Sequence, residues 1–307
     1  MRRPILAASL LAACSGPIDV TSSADAGAGT LRAALHTAAS ESRAARIRVQ
    51  RGLPPVQLAS PLAYPGTSAL RIEGGGLVLD GSALTDTVLA ASNGVLVATG
   101  GADLVLRDIV VRGGSGSGIV VALPPSRSGR VSVVLEGVTV EDNGHHGLLV
   151  NDQAGYFEAP LGEDSAGSDA GILLRISGSR FLRNGRGGLD YDGLRVNEGG
   201  PGSLETVIST SRAEHNGGDG IELDERGDGG AAVAIDRTSA LANGFYSPAD
   251  LDDGIDVDEY GPGDLRVRLV DVIASLNAQK GVDLTESGDG ALSDTRMRVT
   301  AEGNPDD

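Results

Sequence analysis

Two nearly identical heptapeptides, Asp219-Gly-Ile-Glu-Leu-Asp-Glu225 and Asp253-Gly-Ile-Asp-Val-Asp-Glu259, concentrate carboxylates at fixed intervals. Asp192-Gly-Leu-Arg-Val-Asn-Glu198, Lys280-Gly-Val-Asp-Leu-Thr-Glu286 and His146-Gly-Leu-Leu-Val-Asn-Asp152 are looser copies. In each, two apolar residues alternate with outward positions, as in a half-buried strand. Stacked copies would place equivalent residues in columns about 4.8 Å apart. One outward column reads Leu149, Arg195, Glu222, Asp256 and Asp283. Two residues on come Asn151, Asn197, Asp224, Asp258 and Thr285, followed by Asp152, Glu198, Glu225, Glu259 and Glu286. The column before the glycine reads His146, Asp192, Asp219, Asp253 and Lys280. Like charges opposed across a sheet repel, so such columns need water, raised pKa values or a cation. Calcium takes oxygens at roughly 2.3–2.6 Å, so two ligands about 4.8 Å apart can flank one ion. Asp219, Glu222, Asp224, Asp253, Asp256 and Asp258 are the candidate calcium ligands. A solvated acidic face with splayed side chains is the plainer alternative. An EF-hand loop read from Asp256 puts Tyr260 fifth and Val267 twelfth, where an oxygen ligand and a glutamate are needed, and that motif is excluded.

Other reactive side chains are sparse. Arg195 and Lys280 stand among the acidic columns, and either could be cast as a base beside a substrate carboxylate. His145 and His146 are adjacent and His215 is two repeats away, which is poor spacing for zinc. The glycines fall in turns and not in a strand-to-helix phosphate loop, so nucleotide binding is unsupported. No catalytic residue is assigned.

The elements that must position these columns follow from a second marker. Asn143, Asn184, Asn216, Asn243, Asn277 and Asn304 recur at intervals of 41, 32, 27, 34 and 27 residues. Most are followed by glycine, a turn signal whose residues accept positive φ. Alternating runs such as Val131-Ser-Val-Val-Leu135 precede them. One repeat thus reads strand, short strand, Asn turn, strand, variable loop, with uneven intervals absorbed by the loop. A period of this length predicts an all-β solenoid. The Asn column resembles the asparagine ladder inside β-helix turns, a structural device of stacked amides. Two insertions carry aromatic residues: Tyr156 and Phe157 in one, Phe245 and Tyr246 in the other. On solenoid loops these, with Arg195, are candidates for ligand contact, against the alternative that they fold back as small local cores.

Charge is divided unevenly along the 307 residues. Residues 1–135 carry 12 basic and 8 acidic side chains, whereas residues 136–307 carry 13 and 34. So acidic a half disfavours nucleic acid and anionic lipid, and favours cations.

Thr21, Asp25, Gly27, Gly29, Thr30, Leu31, Arg32, Ala34 and Leu35 match a Thr-x-x-x-Asp-x-Gly-x-Gly-Ser/Thr-Leu-Arg-x-Ala-Ile/Leu opening. It resembles that of secreted bacterial surface proteins with right-handed parallel β-helices. The resemblance implies that fold and says little about activity. Thr30 as N-cap and the stripe Leu31, Ala34, Leu35, Ala38 predict a helix covering the first repeat. Met1-Arg-Arg-Pro, a short apolar run and Leu11-Ala-Ala-Cys14 resemble a bacterial lipoprotein signal. That implies a signal peptide over 1–13, lipidation of Cys14, an anchor and N-terminal cap over 14–45, and a β-helix over 46–307. The expected location is the outer membrane or cell surface, touching membrane only through the lipid; an ordinary signal peptide ending in cysteine would give a secreted protein.

β-Helix families include pectate lyases and polygalacturonase-like glycosidases. Asp252-Asp253 superficially resembles the glycosidase acid pair, yet the accompanying Asn-Thr-Asp, Gly-His-Gly and Arg-Ile-Lys motifs are absent. The expectation is a non-catalytic, membrane-anchored scaffold that binds a ligand, cation or partner along its repeats, a polysaccharide or cell-surface partner among them. A calcium-dependent polysaccharide lyase or related carbohydrate-active enzyme is the alternative.

Overall fold

The computed structural model describes residues 16–158, 166–188, 190–246, 248 and 251–307; Cys14 and the signal-like stretch lie outside them. The described chain is all-β apart from one helix, Leu31–Ser40. Its strands form a fifteen-stranded sheet and an eight-stranded sheet, and every pairing is parallel. The chain passes from the large sheet to the small one and back with each repeat, which is compatible with a parallel β-helix.

Alternation explains the strands. In Ala231–Asp236 the apolar Ala231, Val233 and Ile235 are buried while the residues between them are exposed or half-buried. One continuous apolar core runs from Val20 to Val282, made almost wholly of Val, Ile, Leu and Ala. Register is strict because a one-residue slip would turn that face outward. Ile221 therefore lies beside Ile255, and Ile255 beside Val282.

The helix begins at Thr30, whose hydroxyl accepts from the Ala33 N–H at 3.2 Å. Leu31, Ala34, Leu35 and Ala38 are its buried stripe, packed on strands Ile18–Val20, Ala45–Val49 and Leu62–Tyr64. Arg32 bonds Asp25 at 2.6 Å and the Ser60 and Pro61 carbonyls at 2.7 Å, pinning the helix to the turn below. Ile18–Val20, within the stretch read as anchor and cap, is itself a strand paired to Ala45–Val49.

Each asparagine of the marker column is buried, and its side-chain amide donates to the next. Asn143 to Asn184, Asn184 to Asn216, Asn216 to Asn243, Asn243 to Asn277 and Asn277 to Asn304 span 2.9–3.1 Å. Positive φ follows the asparagine at Gly185 and Gly244, as the Asn-Gly signal predicts, but not at Gly144 or Gly217. It also sits on the residue before each asparagine: Asp142, Arg183, His215, Ala242, Leu276 and Gly303.

Candidate metal centre

Strands Leu194–Glu198, Ile221–Glu225, Ile255–Glu259 and Val282–Glu286 lie side by side in the small sheet. Their register stacks Arg195, Glu222, Asp256 and Asp283 in one column, and Asn197, Asp224, Asp258 and Thr285 in the next. Before each strand, Asp192, Asp219 and Asp253 form a third column with a backbone role. Asp192 Oδ1 accepts the Asp219 N–H at 2.8 Å, Asp219 Oδ1 accepts the Asp253 N–H, and Asp253 Oδ1 accepts the Lys280 N–H at 2.5 Å. Each aspartate thus fastens one repeat to the next and keeps its second oxygen for the outer face.

Three groups of carboxylates result, each offering one oxygen per residue within 4.8 Å of the others: Asp190, Asp192 and Glu222; Asp219, Glu222 and Asp256; Asp253, Asp256 and Asp283. Glu222 and Asp256 are shared between neighbouring groups. Asp219, Glu222 and Asp253 are buried, and Asp256 is half-buried with its Oδ1 unpartnered. Burial, then the surrounding carboxylates, pushes Asp219 and Asp256 well above the usual carboxylate range. Burial also raises Glu222 far, although Arg195 pulls it down. Buried acidic groups in this arrangement could hold a metal ion.

The first group already has a cation. Arg195 is 3 % exposed, and its guanidinium reaches Asp190 at 2.8 Å, Glu222 at 2.5 Å, Asp224 at 3.2 Å and Asp192 at 3.5 Å. Burial works against its charge, but Glu222, Asp190 and Asp224 hold it protonated well above its ordinary value. The Tyr156 ring covers it, with the guanidinium carbon 5.4 Å from the ring centroid. Tyr156 Oη in turn lies 2.8 Å from His146 Nε2, whose Nδ1 is 3.2 Å from Asp192 Oδ2. At the far end, Lys280 bonds Asp283 at 2.5 Å. Between these two cations, the Asp219–Glu222–Asp256 group has no lysine or arginine bonded to Asp219 or Asp256 among the described residues.

The six expected ligands therefore divide. Asp219, Glu222, Asp253 and Asp256 converge, and Asp283 joins them. Asp224 and Asp258 do not. Asp224 is taken by Arg195 and by Arg226 at 2.9 Å, and Asp258 accepts from the Tyr260 hydroxyl. The ligand-contact candidates divide too. Tyr156 and Arg195 are turned inward and contact the protein's own groups, because covering four carboxylates is what their burial accomplishes. Phe157 packs edge-on against Tyr156, with ring centroids 5.6 Å apart. Phe245 and Tyr246 stand 59 % and 54 % exposed, open to a partner.

Sequence reasoning missed Asp190, which no repeat spacing marks, and the inward placement of Glu198, Glu225 and Glu259. A legible signal existed for the latter: Glu-x-Gly-x-Gly recurs at residues 198, 225, 259 and 286.

No family model and no curated protein matches the chain. Among solved structures, Geobacillus virus E2 ORF18 aligns with a TM-score of 0.49 at 12 % identity, over 94 % of this chain and 60 % of that one. The chain thus spans about three fifths of the length of the structure it matches.

Proposed function

We propose that the protein is a right-handed parallel β-helix, exported and held at a membrane through Cys14, that serves as a non-catalytic scaffold with bound calcium in its acidic face. The observation that carries this reading is the counter-ion pattern. A guanidinium neutralises the Asp190–Asp192–Glu222 group, while in Asp219–Glu222–Asp256 it reaches only the shared Glu222. In Asp253–Asp256–Asp283 the Lys280 ammonium bonds only Asp283, so that Asp219 and Asp256 between them have no lysine or arginine bonded among the described residues. An unpartnered oxygen on Asp256 and the oxygen-only donor set fit a hard divalent cation. The exposed Phe245 and Tyr246 are then the surface offered to a polysaccharide or cell-surface partner.

Thermal melting in millimolar calcium against chelator tests the cation. Calcium at a hundredfold excess over Kd adds about 2.7 kcal/mol, so the wild type gains several degrees and Asp256→Asn gains little. An unchanged wild-type melting temperature removes calcium from the account.

A calcium-dependent lyase is the second reading, favoured by Lys280 standing beside the Asp253–Asp256–Asp283 group. Against it, the hydrogen bond that Lys280 donates to Asp283 raises the Lys280 pKa, which keeps the amine protonated and unfit to take a proton. Arg195, the other base considered, is buried. Unsaturated products appearing from polyuronates, and lost in Lys280→Ala, would establish the lyase.

A further inference from the structure

Glu198, Glu225, Glu259 and Glu286 pair in register across four strands. Alternation puts Glu225 in phase with Ile221 and Leu223, on the interior side and opposite Glu222 and Asp224. Glu198, Glu225 and Glu259 are fully buried. One oxygen of each later glutamate has a fixed task. Oε1 of Glu225, Glu259 and Glu286 accepts the N–H of Gly227, Gly261 and Gly288 at 2.9, 2.9 and 3.1 Å. The other oxygen, Oε2, has no donor in any of the three among the described residues, and the one backbone N–H that bears on Glu198 is that of Gly200, the same place in its turn.

The asparagine column shows what is missing. An amide carries a donor and an acceptor, so each asparagine bonds the next; a carboxylate only accepts. Four ionised glutamates stacked in one column, three of them fully buried, would be unsatisfied and mutually repulsive. A metal fits poorly. None of these glutamates belongs to a carboxylate triad able to surround an ion among the described residues, and one oxygen of most is already committed to a backbone N–H. A proton needs only one donor and one acceptor.

We propose that the glutamate column is a proton-bridged ladder, with a shared proton between each neighbouring pair tying the Glu-x-Gly-x-Gly turns together until alkali removes it. Burial, then Glu225, pushes Glu198 up to about 10, and burial, then Glu225 and Glu286, pushes Glu259 up to about 8. The charged groups facing the column are its own members and Asp152 beside Glu198, which burial raises to about 6. Arg226, in the same turn as Glu225, is bonded to Asp224 and lies 4.4 Å over the Tyr260 ring. Asp228 and Asp289, further along these turns, are exposed. Because the folded values lie above the ordinary 4.5, the ladder's stabilisation is full below pH 4.5 and is lost as pH rises through 8 and then 10.

The test is melting from pH 5 to 9 in chelator, comparing wild type with Glu198→Gln, Glu259→Gln and the double variant. A glutamine keeps a permanent donor where the acid holds its proton. The double variant should have the flatter profile, and its advantage over wild type should grow by on the order of 5 °C between pH 5 and 9. A wild-type-to-variant difference that stays constant with pH would overturn the ladder. Infrared titration of an Asp219→Asn, Glu222→Gln, Asp256→Asn variant, which lacks the other strongly raised carboxyls, serves if the column variants do not fold: a protonated carboxyl stretch persisting at pH 8 supports the proposal, and only carboxylate bands overturn it. Chelator keeps the outcome separate from calcium, whose failure would leave this column untouched.

Discussion

Removing the Arg195 guanidinium would leave Asp190, Asp192 and Glu222 together with no lysine or arginine bonded to them among the described residues, and Asp224 with Arg226 alone. Breaking a buried ionic group by deleting one partner costs about 3–5 kcal/mol. Arg195→Gln should lose at least that in a denaturant titration, whereas breaking an exposed, solvent-screened pair such as Arg48–Asp19 should leave the midpoint nearly unchanged. A second prediction concerns Asp80. Burial pushes its carboxyl up, but the Ser82 hydroxyl and backbone N–H and the Arg112 guanidinium outweigh it and hold the value at about 2. A lowered value means stability present above the ordinary 3.8 and lost as pH falls towards 2. The difference in melting between wild type and Asp80→Asn should therefore close over that range. At this scale the sequence was partly legible. The spacing of the heptapeptides put Arg195, Glu222 and Asp256 in one column, and the structure has them in register. It did not reveal that the guanidinium would be buried as a counter-ion, since the loop carrying Tyr156 over it shows no periodicity.

Between repeats, the packing of turns sets what each strand can carry. An alanine Cβ at Gly227 would run into the Gly200 carbonyl, and one at Gly261 into the Gly227 carbonyl. Backbones this close leave the turn no slack, so Gly227→Ala should cost about 3 kcal/mol, read from the denaturant midpoint. The asparagine ladder is constrained in a different way. Asn216 accepts from Asn184 and donates to Asn243 and to the Phe181 carbonyl, so its loss strands partners on both sides. The strands, the helix at Leu31–Ser40 and the Asn column were readable because hydrophobic alternation and turn chemistry are local. Positive φ before each asparagine was not readable, because Asp142, Arg183, Ala242 and Leu276 share no residue type. There the stacked neighbours impose the conformation and the side chain merely tolerates it.

Across the whole molecule, charge and fold are coupled. The acidic residues of the C-terminal half are drawn by strict register into columns, and parallel pairing at about 4.8 Å forces each column to find its own relief. Guanidinium relieves Arg195's end, ammonium relieves Asp283, and protons relieve the glutamates in the account given above. The Asp219–Glu222–Asp256 group between them could hold a metal ion, and the proposal above places a divalent cation there. The most direct measurement is an anomalous difference map from crystals grown in calcium and then exchanged into manganese or a lanthanide. The account predicts a peak bonded to carboxylate oxygens of Asp219, Glu222 and Asp256, absent in Asp256→Asn crystals, with no peak beside Arg195. A featureless map at that position, or a peak beside Arg195 instead, would contradict it.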